Sequence, residues 1–361
     1  MNKRESTKQA LITSVLKFLS RVFDRPAGAN WFSKHIPYLQ DSREAAFSDT
    51  TENCVNPYQE NASKVSTRAD NLQDRDIVFI TGRFRSGSTL LWNIFRDVSE
   101  FTSYYEPFNE RRWFSQSKRG ENTDCTHVGV GEYWQEYNGL EELEKYYDVS
   151  WIDKRLFMTN RSWDGAMLAY IDTLIQRAPG RALLQFNRVD FRLSWLRHNY
   201  PAARLLHLYR NPRDQWLSVI KNSESCSPNI NFLQIGTKDF FYLRRWGRDL
   251  ANVFPFLNES SLQHPYQLFY LIWRLSYNHG KHYCDYSIAF EDMISNPRKT
   301  IEELFTSLNI NVMHVDSAIS KVGKVETGKW HMYASSDWFA SHESTCESIL
   351  ETYYGARSQT R

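Results

Sequence analysis

The stretch Thr81 to Leu91, TGRFRSGSTLL, lies between two apolar runs, IVFI at 77–80 and WNIF at 92–95. No other feature constrains the chain as much, because it sets a strand, a glycine-bearing loop and a helix in a fixed order. The first N–H groups of a helix have no intrahelical acceptor, so such a junction can receive phosphate oxygens. Gly82 and Gly87 permit the turns and the close approach that this requires. The usual triphosphate loop reads GxxxxGK[ST], with a lysine that reaches the β- and γ-phosphates. Here Gly82-Arg83-Phe84-Arg85-Ser86-Gly87 runs into Ser88 and Thr89, and the lysine position holds serine. The cation sits inside the loop, as Arg85, placed to reach a phosphate from the side. A basic turn between strand and helix is the plainer alternative for this segment alone.

The pattern continues downstream. DIVFIT (76–81), FTSYY (101–105), ALLQFN (182–187), ARLLHLY (203–209) and YSIAF (286–290) read as strands. Helices are expected at 88–99, 162–178, 190–199, 212–222, 262–282, 298–308 and 338–354, with Pro179-Gly180 and Asn199-Tyr200-Pro201 as stops. Strands alternating with helices predict an α/β domain, a central parallel sheet flanked by helices, over residues 76–361. Residues 1–39 carry Leu11, Val15, Phe18, Leu19 and Val22 at helical spacing, which predicts an amphipathic helix. Its apolar stripe suits docking on its own domain, on a partner or on a membrane surface. Residues 40–75 are polar and read as a linker or arm.

Lys and Arg total 44 against 42 Asp and Glu, so no global field favours nucleic acid and any anion site must be local. The five cysteines are scattered, with no CxxC pair and no His/Cys cluster. That pattern predicts a reducing, cytoplasmic setting and no metal. The densest apolar run, YQLFYLIW at 266–273, falls far short of the ~20 residues of a membrane span.

A second segment, ARLLHLYRNPRDQWLSVIK (203–221), reads as a strand ending in Arg210, then Asn211 as N-cap, Pro212 at the first helical position, and a helix carrying Ser218. Arg210 and Ser218 are placed to grip a further phosphate with a charged fork and a hydroxyl. His207 and Trp216 of the same segment read as core. Ligands of open α/β sheets collect at the carboxyl edge of the strands.

With both segments in view, the chain resembles the sulfotransferases that use 3′-phosphoadenosine 5′-phosphosulfate. GRFRSGSTLL is similar to their 5′-phosphosulfate loop, and YRNPRDQWLSVIK to their 3′-phosphate segment, with an Arg followed eight positions later by a Ser. The likeness extends through YYEPFNE (104–110), LLQFNRVDFRLSWL (183–196), YSIAFEDMISNPRKTIEELF (286–305) and GKWHMYASSDWF (328–339). It is nearer the carbohydrate and tyrosyl-protein branches and their bacterial relatives than the small-phenol enzymes. The resemblance implies a P-loop NTPase-like sulfotransferase fold and transfer of sulfate from that nucleotide to a hydroxyl or amine, most readily of a carbohydrate. It also implies nucleotide contacts from Arg83, Phe84, Arg85, Ser86, Gly87, Ser88, Thr89, Arg210 and Ser218, and from Lys324 and Lys329 in a loop that closes over the nucleotide.

Sulfuryl transfer needs fixed donors where charge develops on the leaving phosphate, and a base for the acceptor proton. Arg85 and the loop N–H groups suit the first need. Glu106 suits the second: it follows FTSYY at a strand's carboxyl end, and Pro107 biases it toward an extended backbone. His127, in THVGVGE, is the rival base. Arg161 and Arg188 are candidates for acceptor or phosphate contacts and equally for structural ion pairs. In ERRWFSQSKRG (110–120), Arg111, Arg112, Lys118 and Arg119 offer either a surface for an anionic glycan or a solvated basic loop. A magnesium-dependent kinase lacks its loop lysine here. A non-catalytic nucleotide or glycan-binding module would not require Arg85, Glu106, Arg210 and Ser218 together.

Overall fold

In a computed structural model, the described residues are 77–359, apart from 122–123, 125–126, 128, 221–225, 233 and 236–237. The amphipathic helix expected within 1–39 and the arm at 40–75 lie outside the described residues. Five strands form one sheet: β1 (Val78–Gly82), β2 (Phe101–Tyr105), β3 (Arg181–Phe186), β4 (Arg204–Tyr209) and β5 (Tyr286–Ala289). Their spatial order is β2-β3-β1-β4-β5 and every pairing is parallel. All five expected strands are present, each within two residues of its predicted ends. Every residue of β1 is buried, as a parallel sheet covered on both faces demands.

The helices are α1 (Ser88–Arg96), α2 (Gly165–Arg177), α3 (Leu193–Asn199), α4 (Pro212–Ile220), α5 (Leu243–Leu250), α6 (Pro265–Tyr283), α7 (Phe290–Ser295), α8 (Pro297–Ser307), α9 (Val315–Ser320) and α10 (Ser336–Gln359). Their starts follow local chemistry. The Asp164 side chain accepts the N–H of Met167 to cap α2, and His264 with Pro265 opens α6. The expected stops hold for α2 and α3. Helix α5 is not among the expected helices, and it carries a glycine at 247. A Cβ there would lie 2.9 Å from Leu268 of α6, so the glycine is a point of close helix contact rather than an interruption. The short α7 and α9 were also unforeseen.

One apolar core surrounds the sheet and α1, α2, α8 and α9. A second is built on α4, α5, α6 and α10, where Tyr266 and Tyr270 of α6 donate to Glu343 and Glu347 of α10. Trp216 and His207 are buried, and burial pushes the His207 imidazole down to about 3.

The order places β1 between β3 and β4, so the chain diverges to either side of β1 at its carboxyl end, where a ligand crevice forms. Register completes the arrangement. Gly82 pairs with Leu208, which sets the loop after β1 beside Arg210, and Tyr105 pairs with Gln185, which sets Glu106 beside Asn187.

Candidate active site

The loop between β1 and α1 is anchored from below. Thr81 Oγ1 and Ser276 Oγ donate to the buried Asp190 carboxylate, and Arg83 Nη1 reaches it at 3.4 Å. The Arg83 guanidinium also lies 4.7 Å from the Trp246 ring centre. Arg83 therefore serves the floor of the loop with its side chain. Phe84 is buried against Phe241, Tyr242 and Trp246, and its carbonyl accepts from Gln215 Nε2 at 2.7 Å.

Two residues in the loop have left-handed backbones, Arg85 at φ 67° and Gly87 at φ 95°. Gly87 is the N-cap of α1 and leaves its first turn without a side-chain cap. A Cβ on Gly87 would collide with the Phe290 ring, which also lies 4.7 Å beneath the Arg210 guanidinium. Phe290 thus seats the two expected phosphate segments on one aromatic spacer. They also touch directly: Arg85 Nε donates to Ser218 Oγ at 2.9 Å, and Arg210 Nη1 donates to the Arg85 carbonyl at 3.3 Å. Asn211 takes its expected capping role, its side chain accepting the N–H of Arg213.

An anionic ligand fits this place. Arg210 Nε, where the two segments meet, is buried without a hydrogen-bond partner among the described residues, a condition that carries a desolvation cost until it is met. Burial holds the Arg210 guanidinium below the ordinary arginine value, against the opposing pull of Asp214 and Glu291. Loop N–H groups, an uncapped helix start, the Ser218 hydroxyl and the Arg85 and Arg210 guanidinia form a donor set suited to phosphate.

Glu106 stands on the other side of α1. Its backbone is left-handed, φ 38°, and not extended as expected from Pro107. The turn closed by Asn109 N–H on the Glu106 carbonyl, and three donors on its carboxylate, outweigh the proline's bias. Oε2 accepts from Asn109 Nδ2 at 2.6 Å and from Arg188 Nη1 at 2.8 Å, while Oε1 accepts from Asn187 Nδ2 at 2.5 Å. Asn187 Oδ1 in turn accepts from Ser88 Oγ at 2.9 Å, which ties the carboxylate to the first residue of α1. Arg188 Nη2 donates to Glu110 at 2.7 Å, and Glu110 also accepts from Tyr242. Burial works against the Arg188 charge, but Glu106 and Glu110 raise its proton affinity above the ordinary value.

Thr89 Oγ1 lies 3.0 Å from Tyr105 Oη and 3.4 Å from His127 Nε2, whose other ring nitrogen faces Tyr133 Oη. His127 and Glu106 are thus both brought to α1, His127 at Thr89 and Glu106 through Asn187 at Ser88.

The remaining expected residues are more peripheral. Arg161 is exposed in a turn where Thr159 Oγ1 accepts its N–H. Lys324 is exposed in the strap 322–328, and Lys329 pairs with Glu326 at 3.0 Å. The strap is fastened at both ends. Lys321 bonds Asp97 and the Asn93 carbonyl of α1, and Asp214 of α4 accepts the N–H groups of Gly328 and Trp330. In the basic stretch, Arg112 and Lys118 share Glu144, and Arg119 donates to Asn138. Those charges are largely engaged within the protein. Sequence reading missed Asn109, Glu110, Asn187, Asp190, Asp214 and Tyr242. All but Tyr242 stood in segments already singled out: Asn109 and Glu110 in YYEPFNE, Asn187 and Asp190 in FNRVD, and Asp214 in YRNPRDQWLSVIK.

The Sulfotransferase family model matches residues 77–314. A search of curated proteins gives no match. Among solved structures, the chain is similar to a sulfotransferase from Alicyclobacillus acidocaldarius at 16% identity, covering 76% of this chain and 94% of that one, with a TM-score of 0.35. It is similar to sulfotransferase STF9 from Mycobacterium avium at 11% identity, covering 78% and 76%, with a TM-score of 0.41.

Proposed function

The chain belongs to the sulfotransferase family and is a sulfotransferase enzyme, and from that premise we propose that it moves sulfate from 3′-phosphoadenosine 5′-phosphosulfate to an acceptor hydroxyl, most readily of a carbohydrate. One observation carries the choice of donor: the loop after β1 and the segment after β4 meet through Arg85, Ser218 and Arg210, with a buried donor still unmatched. That is a place for two phosphate groups of one nucleotide. The carbohydrate acceptor rests on the likeness of the motif segments to that branch.

In this reading Glu106 takes the acceptor hydroxyl's proton as the new O–S bond forms. Arg85 and the loop N–H groups receive the electron pair left on the phosphate oxygen as the old S–O bond breaks. Arg210 and Ser218 hold the 3′-phosphate, with Lys324 and Lys329 above it, and Arg188 orients the base. Residues 76–361 form the sulfotransferase domain, with 1–39 and 40–75 as a helical extension and an arm. A cytoplasmic setting accords with three buried free thiols, Cys226, Cys284 and Cys346.

Calorimetry with adenosine 3′,5′-bisphosphate, against adenosine 5′-monophosphate, tests the donor. Arg210→Ala should weaken the bisphosphate about 10–100-fold, the worth of one or two charged hydrogen bonds, and leave the monophosphate unchanged. Equal affinity for the two nucleotides would overturn the reading. Labelled-sulfate transfer to a glycan panel and a phenol panel tests the acceptor, and preference for phenols would overturn the carbohydrate assignment.

A further inference from the structure

We propose that Glu110 and Tyr242 are positioning residues that set the strength of Glu106 as a base, by dividing the Arg188 charge between two carboxylates. The inference rests on Glu106 being the base.

Counting lone pairs shows why the division matters. A carboxylate offers about four acceptor sites. Glu106 Oε2 uses two, for Asn109 and Arg188, and Oε1 uses one, for Asn187. The Tyr105 hydroxyl also reaches Glu106, so the fourth site is one that an incoming proton shares with that phenol. Protonation there neutralises Glu106 beside a buried guanidinium, and a buried charge that loses its only partner is strongly destabilised. Arg188 does not lose its only partner. Its second nitrogen already rests on Glu110 at 2.7 Å, so the cation stays compensated while Glu106 is neutral.

The placement of Tyr242 is the second observation. Its hydroxyl donates to Glu110 at 2.5 Å, and its ring centre lies 5.5 Å from the Arg188 guanidinium. It holds that place at φ 63°, directly after Phe241 at φ 48°. Two consecutive aromatic residues in the left-handed region persist only where the surroundings over-determine them, and such strain clusters at working sites.

The groups that face Glu106 are three phenols, the Glu110 carboxylate and, farther off, His127 and Asp124. Tyr105 of β2, and Tyr133 and Tyr137 beyond it, are pushed above the ordinary phenol value by burial and then, among other charges, by Glu106 itself. Burial raises the Glu110 carboxyl, but Arg188 and the Tyr242 hydroxyl outweigh it and hold it below the usual carboxylate value. Through Tyr105 and Tyr133 the site leads to His127 and to the pair of Arg85 with Asp124 at 3.9 Å.

The test is an infrared titration of the full chain, with Glu106 identified by difference against Glu106→Gln. It is paired with the pH profile of donor hydrolysis, water serving as acceptor and 3′-phosphoadenosine 5′-phosphosulfate as probe. In Glu110→Gln, Arg188 turns wholly to Glu106 and a like charge is gone. Both changes favour the Glu106 anion, so its midpoint and the acid limb should move down by about one unit, a tenfold change in proton affinity. Tyr242→Phe leaves Glu110 with one donor fewer and a firmer hold on Arg188, so the Glu106 midpoint should rise by a smaller amount, about threefold in proton affinity. Should Glu110→Gln not fold, Tyr242→Phe alone decides. Activity lost with an unmoved midpoint would mean a merely structural role and overturn the inference. Full activity in Glu106→Gln would instead overturn the base assignment beneath it.

Discussion

The two sides of the site are built on opposite plans. Around Glu106 the polar groups are joined to one another: buried Asn187 and Arg188, half-buried Asn109 and Tyr242 and exposed Glu110 fix the carboxylate before any ligand arrives. Toward Arg210 the groups are left waiting, with a buried nitrogen unmatched and Lys324 exposed in the strap. The difference is that between stabilising a reaction and capturing a ligand. Catalytic groups gain when they need no rearrangement at the moment of transfer. Binding groups gain when the ligand itself completes their bonds.

Substitutions on each side can break that comparison. The largest effect should come from Glu106→Gln, with turnover down about 10²–10⁴-fold and calorimetric nucleotide affinity unchanged within about twofold. Arg85→Ala should follow, at about 10²–10³ in turnover, because it removes a donor at the developing charge. It lies where the two sides meet, so a loss of affinity of the same size would assign Arg85 to capture instead. Lys324→Ala and Lys329→Ala should each cost less than about tenfold in affinity, and the cost should shrink as salt rises, since exposed charges are screened. A hundredfold fall in turnover from either lysine would show that the strap takes part in the transfer and would end the contrast.

What the sequence disclosed followed physical range. β-rich runs between turn residues gave all five strands, because strand propensity and burial are written within a few neighbouring positions. Loop residues Gly82 to Thr89, with Arg210 and Ser218, were legible for the same reason. The union of Arg85 with Ser218 spans 133 positions and becomes visible only when β1 and β4 are paired. Glu110, at the end of YYEPFNE, and Tyr242 are 132 positions apart, and no local pattern announces their union. Glu106 was found as a residue and mistaken in its backbone, because Pro107 argues from one neighbour while three donors argue from the fold.

Phe241 and Tyr242 hold a consequence for how this enzyme can change. A left-handed backbone costs an ordinary residue about 1–2 kcal/mol, and two stand in succession over Phe84 and Arg188. Glycine at either position would release that energy and remove the ring. The ring contacts offset that release, so the strain is held in place by the very packing it permits, and neither half can be changed alone.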